Sequence, residues 1–171
     1  MRERWHSCKA CLIVITTVVF VVCACKDIPQ KSDQEMIDNF RNKRSKFEDL
    51  LQMVREDQDK IGGGLFRIDD DWTEPKDLAA LGIDNERVEK YRSIFLEIGI
   101  PRGFYAYPSG VCYFVASAQG IAPSGKSKGY AWSNKTPDPL IDGDLDEYRN
   151  NNFDFRAFRS IESDWYLLSM Y

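Results

Sequence analysis

Histidine is nearly absent from this sequence: the 171 residues hold one, His6, inside an N-terminal stretch that reads as a removable leader. The part that would remain carries none. That excludes Ser-His-Asp and Cys-His catalysis, histidine general bases and every zinc site that needs an imidazole. Cysteine is almost as scarce where it could matter. Cys8, Cys11 and Cys23 fall in the leader and Cys25 at its end, which leaves Cys112 with no disulfide partner. Cys112 stands in V-C-Y-F-V-A, an apolar run that reads as a buried strand, where a free thiol is a small hydrophobe rather than a nucleophile. Basic stripes with interleaved aromatics are missing too. The formal charge is −4, and −6 once Arg2, Glu3, Arg4 and Lys9 leave with the leader. A balance of that sign repels phosphate backbones, so nucleic acid is not an expected partner. There is no internal repeat and no second-domain linker.

What is present begins with the leader itself. Arg2, Arg4 and Lys9 precede an apolar run from Ala10 to Ala24, which at 15 residues is short of the roughly 20 that a membrane-spanning helix needs. A positive stretch, a short apolar stretch and a small residue make the layout of a secretory signal. The residues V-C-A-C at 22 to 25 resemble the lipobox of bacterial lipoproteins, with Val22 as the aliphatic residue, Ala24 as the small residue and Cys25 as the lipid-bearing cysteine. Cys23 departs from the pattern, which usually has a smaller or hydroxylated side chain there. The resemblance covers about the first 25 residues. It implies cleavage between Ala24 and Cys25, acyl chains such as palmitate on Cys25, and a tether over 25–32 that holds a single domain, 33–171, on an envelope membrane. Lys26 stands where inner-membrane lipoproteins of enteric bacteria commonly carry Asp, which favours the outer membrane, facing the periplasm, in cells that have one. Ordinary signal peptidase cleavage and an uncleaved anchor are the two other readings of the same residues.

After the leader the chain reads as a soluble protein, 43% hydrophobic and 13% aromatic over its whole length, which suffices for one core. Ser32 and Glu35 make a capping box for a helix that runs to about residue 59, with Met36, Ile37, Phe40, Phe47, Leu50, Leu51 and Val54 on one face. A second helix starts at the cap Asp84 and stops at Gly99, its apolar face made by Val88, Tyr91, Ile94, Phe95 and Ile98. Beyond Gly103 the pattern turns to strands, at 103–107, 111–117, 128–133, 153–160 and 164–170, with hairpin turns at P-S-G 108–110 and E-S-D 162–164. Leu65 to Ile68 is a further short candidate. Helices followed by a meander predict an α+β domain: two main helices on a mainly antiparallel sheet of about five strands.

Three motifs invite chemistry. G-I-A-P-S-G-K-S at 120–127 fits the phosphate-loop pattern with Lys126 and Ser127 in the key places, but that loop must open a helix, and K-G-Y-A-W-S reads as a strand. A polar hairpin loop is expected, with no nucleotide. Asp142, Asp144 and Asp146 alternate as calcium ligands do, yet an EF-hand starting at Asp142 needs Gly at 147 and Glu at 153, where the chain has Glu147 and Phe153. A solvated acidic loop is the expectation there and at Asp69, Asp70 and Asp71. Asp70, Asp71, Glu74 and Asp77 could supply a carboxylate pair for glycan hydrolysis, although no spacing marks one out. Tyr105, Tyr107, Tyr113, Tyr130, Trp132, Trp165, Tyr166 and Tyr171 make the β half rich in aromatics, which serve either as core or as a stacking surface.

The expectation is an envelope lipoprotein whose domain binds a partner, without catalysis and without a cofactor. An immunity protein against an exported toxin and a carboxylate-dependent cell-wall glycan enzyme are the two alternatives.

Overall fold

A computed structural model describes residues 30–62, 64–68, 73–101, 103–107, 109–119, 125–150 and 156–170. Helix α1 covers Asp33–Asn42 and opens on the expected capping box, Ser32 Oγ taking the Glu35 N–H while the Glu35 carboxylate takes the Ser32 N–H. The single helix expected to about residue 59 is in fact two. The chain leaves helical geometry at Lys43 (φ −124°, ψ 23°) and resumes as α2, Arg44–Ile61. The apolar stripe lapses between Phe40 and Phe47, and the bend returns both rings to one core, 5.0 Å apart. Lys43 Nζ donates to the Glu97 carbonyl at 2.6 Å. Gly62, at φ 73°, closes α2 in the left-handed conformation that glycine adopts without strain. Helix α3, Asn85–Ile98, is capped by Asp84, whose side chain accepts the Arg87 N–H at 2.8 Å, and it ends at Gly99.

The strands are β1 Gly64–Ile68, β2 Thr73–Glu74, β3 Phe104–Ala106, β4 Cys112–Gln119, β5 Lys126–Trp132, β6 Arg156–Glu162 and β7 Trp165–Met170. They form one sheet in the order β2-β1-β3-β4-β5-β7-β6, every neighbouring pair antiparallel. The α+β architecture is as expected, but the sheet has seven strands rather than about five. Beyond the five stand β1, at the short candidate Leu65 to Ile68, and the unexpected β2. β1 pairs with β3, and β2 returns on β1 within a stretch expected to be loop, ending where Pro75 can donate no further ladder bond. The hairpins at 108–110 and 162–164 are found, the first closed by the Tyr107 N–H on the Val111 carbonyl and the second carrying Ser163 at φ 47°.

Both faces of the sheet are apolar. The helices cover one, where Phe66, Phe104, Phe114, Tyr130, Trp165 and Leu167 meet Phe40, Phe47, Tyr91 and Phe95. Each such side chain, fully buried, contributes about 1.5–3 kcal/mol of transfer free energy. The outer face carries a second cluster: Tyr113, Val115, Ala131, Phe158, Tyr166 and Leu168, edged by Tyr105, Tyr107 and Met170.

After β5 the chain makes a strap over this outer face. The Ser133 N–H donates to the Asp164 carbonyl, and further on Pro139 O and the Ile141 N–H bracket Phe158 at 2.9 and 2.8 Å. Leu140 thereby pairs in parallel with Phe158, so the outer edge of β6 is not left bare. The strap leads into a one-and-a-half-turn helix, α4, Leu145–Asn150, within the acidic run expected to be a solvated loop. Asp144 starts it, its Oδ1 accepting the N–H groups of Asp146 and Glu147, while Leu145 is fully buried.

Candidate functional site

Cys25 and Ala24, Asp69, Asp70, Asp71 and Tyr171 lie outside the described residues. Among the described residues no helix is long and apolar enough to cross a membrane. Lys126 and Ser127 open strand β5 where a phosphate loop would open a helix, and the rest of that motif, 120–124, lies outside the described residues. Glu74 lies in β2, and Asp77 accepts the Ala80 N–H as a turn cap. Cys112 is buried in β4, and burial pushes its thiol up to about 11, with Arg55 drawing it slightly back. A thiol in that state is no nucleophile.

The three alternating aspartates do not share one site. Asp142 is exposed, whereas Asp144 and Asp146 turn inward to meet Asp33, their carboxylate oxygens within 4.8 Å of one another. Cations of the chain already hold this cluster. Lys128 Nζ lies 2.5 Å from Asp33 Oδ1 and 2.9 Å from Asp146 Oδ2, and Arg159 Nη1 lies 2.7 Å from Asp33 Oδ2 and 3.7 Å from Asp144 Oδ2. The Leu145 N–H adds a bond to Asp33, and Lys128 also donates to the Lys31 carbonyl. Burial works to raise the Asp33 carboxyl, but the Leu145 N–H, Lys128 and Arg159 together hold it below its ordinary value. The cluster is thus an internal ion-pair knot that ties the start of α1 to β5, β6 and α4. A metal ion would have to displace Lys128.

Asp57 builds a second knot. It is 2% exposed and takes Arg87 Nε at 2.6 Å, Lys60 Nζ at 3.1 Å and the Tyr91 hydroxyl at 3.0 Å. Arg87 reaches on to the Met53 carbonyl and to Glu56, which fastens α2 to α3. Burial again opposes the Asp57 charge, and the three donors overcome it.

The aromatics divide between the faces. Tyr130 and Trp165 are helix-side core, and Trp132 lies under the Arg55 guanidinium at 4.1 Å. Tyr105, Tyr107, Tyr113 and Tyr166 point outward, and Tyr105 stacks on both Tyr107 and Tyr113 at about 6 Å. Beside Tyr107, between the strap and the sheet, opens a cleft of about 310 Å³. Its floor is Phe158, Leu168 and Met170, and its rim carries Lys135, Asp138 and Arg156. Among the described residues neither Lys135 nor Arg156 has a carboxylate partner, and Arg156 leans over the Phe158 ring at 5.7 Å. Sequence reasoning missed both the knots and the cleft. Strand parity held a signal for part of this, since Lys128 is in phase with Tyr130 and Arg159 with Ala157, all on the helix side.

Comparison of the chain with family models, with curated proteins and with solved structures found no match.

Proposed function

We propose that this chain is an exported, lipid-anchored envelope protein whose domain binds without catalysis, using the strap side of its sheet. The cleft under the strap carries the binding half of this reading: an apolar floor beside two cations that have no carboxylate partner among the described residues is a recognition surface that the core does not require. The V-C-A-C stretch supports the anchor. Absence of catalysis fits the state of the titratable groups, since Asp33 and Asp57 are each held by cations and Cys112 is kept as a thiol.

Two measurements test it in the producing cell. Labelled palmitate should enter the protein and be lost in Cys25→Ser, together with retention on the membrane. A photoreactive residue at Thr136 on the cleft rim should capture adducts that the same residue at Glu89, exposed on α3, does not. Equal capture at both positions, or at Glu89 alone, rejects the strap side as the binding face.

A further inference from the structure

The cleft also has a chemistry that narrows its ligand. Its volume, about 310 Å³, lies at the small end of the range for small-molecule sites, ~300–1,000 Å³. The floor is apolar and the side chains of Phe158 and Leu168 are buried, so the ligand body that rests there is hydrocarbon or an aromatic ring. Among the described residues the rim holds two cations and one acid, a local positive excess in a chain of net charge −4. Both ends of the strap are pinned by backbone hydrogen bonds, at Ser133 and at Pro139 to Ile141, so the walls stand ready without a ligand to order them.

We propose that this cleft takes a small amphipathic anion, its apolar body on Phe158, Leu168 and Met170 and its acidic head between Lys135 and Arg156. The assignment rests on the strap side being the binding face. The guanidinium of Arg156 suits a two-oxygen head, because its fork of N–H donors matches a carboxylate or a phosphate. Asp138 decides between an anion and a zwitterion: it repels the first and attracts an ammonium group on the second.

The test uses the full chain in its own membranes and a diazirine-bearing octanoate as probe. Labelled peptides should map to 133–139 and 156–170, and octanoate should compete while octanol does not. Competition by octyl phosphate separates the sources: preference for octanoate assigns a free carboxylic acid, and preference for octyl phosphate assigns a lipid-like phosphate head. The double variant Lys135→Gln/Arg156→Gln should weaken labelling about tenfold or more, the worth of a charge-assisted hydrogen bond. Asp138→Asn should strengthen it. The proposal is overturned by octanol competing as well as octanoate, by labelling spread over the chain, by no labelling, or by Asp138→Asn weakening the probe. Adducts at Thr136 without any preference for anions would reject the ligand class and leave the binding face standing. Failure of palmitate labelling would reject only the anchor.

Discussion

The Lys128 ammonium lies 2.5 Å from Asp33 Oδ1, and the two side chains are 1% and 0% exposed. Two charges so far from water are stable only as a set, because each would cost several kcal/mol alone. Removing Asp33 leaves Lys128 with Asp146 and the Lys31 carbonyl, and leaves Arg159 to Asp144 at 3.7 Å. Asp33→Ala should therefore lower unfolding stability by about 3–5 kcal/mol. Asp33→Leu combined with Lys128→Met should recover most of the loss, since an apolar pair of similar size needs no compensation. Urea denaturation of the three variants reads this directly, and a double variant as unstable as the single one would show that the knot is held by more than this pair.

Acid should weaken the fold through the same groups. Asp33 and Asp57 both have folded pKa values below the ordinary aspartate value of 3.8. A depressed carboxylate stabilises the native state above its unfolded pKa, and the contribution is lost as pH falls through the folded value. Stability should be level from neutral pH down to about 5 and then decline steadily below about 4. Urea midpoints measured at pH 7, 5 and 3 check the shape of that curve. Asp57→Asn, which cannot titrate, should start lower and fall less steeply; a decline of the same slope would place the acid sensitivity elsewhere.

Much of the helical layer is legible in the sequence because its signals are local. Ser32 with Glu35, Asp84 and Gly99 each act within one turn of the backbone, and all three signals stand where the pattern places them. The break at Lys43 is written only as a lapse in the apolar stripe, which a continuous helix tolerates equally well. β2 is two residues long and exists because β1 offers it an edge. The partners of Asp33 come from positions 128, 145 and 159, and no spacing along the chain announces a contact that joins α1, β5, α4 and β6. The cleft was hidden for a similar reason. Aromatic alternation shows that the sheet has two apolar faces, but only the path of the strap decides which of them is partly open.

Calcium is the sharpest check on the aspartates. A site formed by Asp33, Asp144 and Asp146 would raise the unfolding midpoint on adding the ion, by about 2.7 kcal/mol of stability at a hundredfold excess over Kd. With the Lys128 ammonium bonded to two of the three carboxylates, no shift is expected in millimolar calcium. Thermal unfolding with calcium and with a chelator measures it. A clear rise in the wild type would mean that the ion displaces Lys128 and that the knot is a regulated metal site.

Tyr113 presents the reverse case, a polar group that the fold buries without rewarding. Its ring is fully buried in the outer-face cluster, stacked on Tyr105, and its hydroxyl makes no hydrogen bond among the described residues. Burial pushes the phenol well above its usual range, and the Ser127 hydroxyl, which pulls the other way, is not placed to close a bond of good geometry. An unpaired buried hydroxyl costs about 1–3 kcal/mol. Tyr113→Phe keeps the ring and removes that cost, so it should leave stability unchanged or raise it by about 1 kcal/mol. Tyr130→Phe is the matched comparison, because the Tyr130 hydroxyl takes the Asn39 amide and donates to the Met36 carbonyl, and its loss should destabilise by about 1 kcal/mol. Opposite signs for the two variants in parallel urea titrations would mean that the helix side of the sheet is built for uniqueness while the strap side retains unspent polar capacity beside its cleft. Equal destabilisation would mean instead that Tyr113 has a partner in solution, and that the outer face is as fully specified as the inner one.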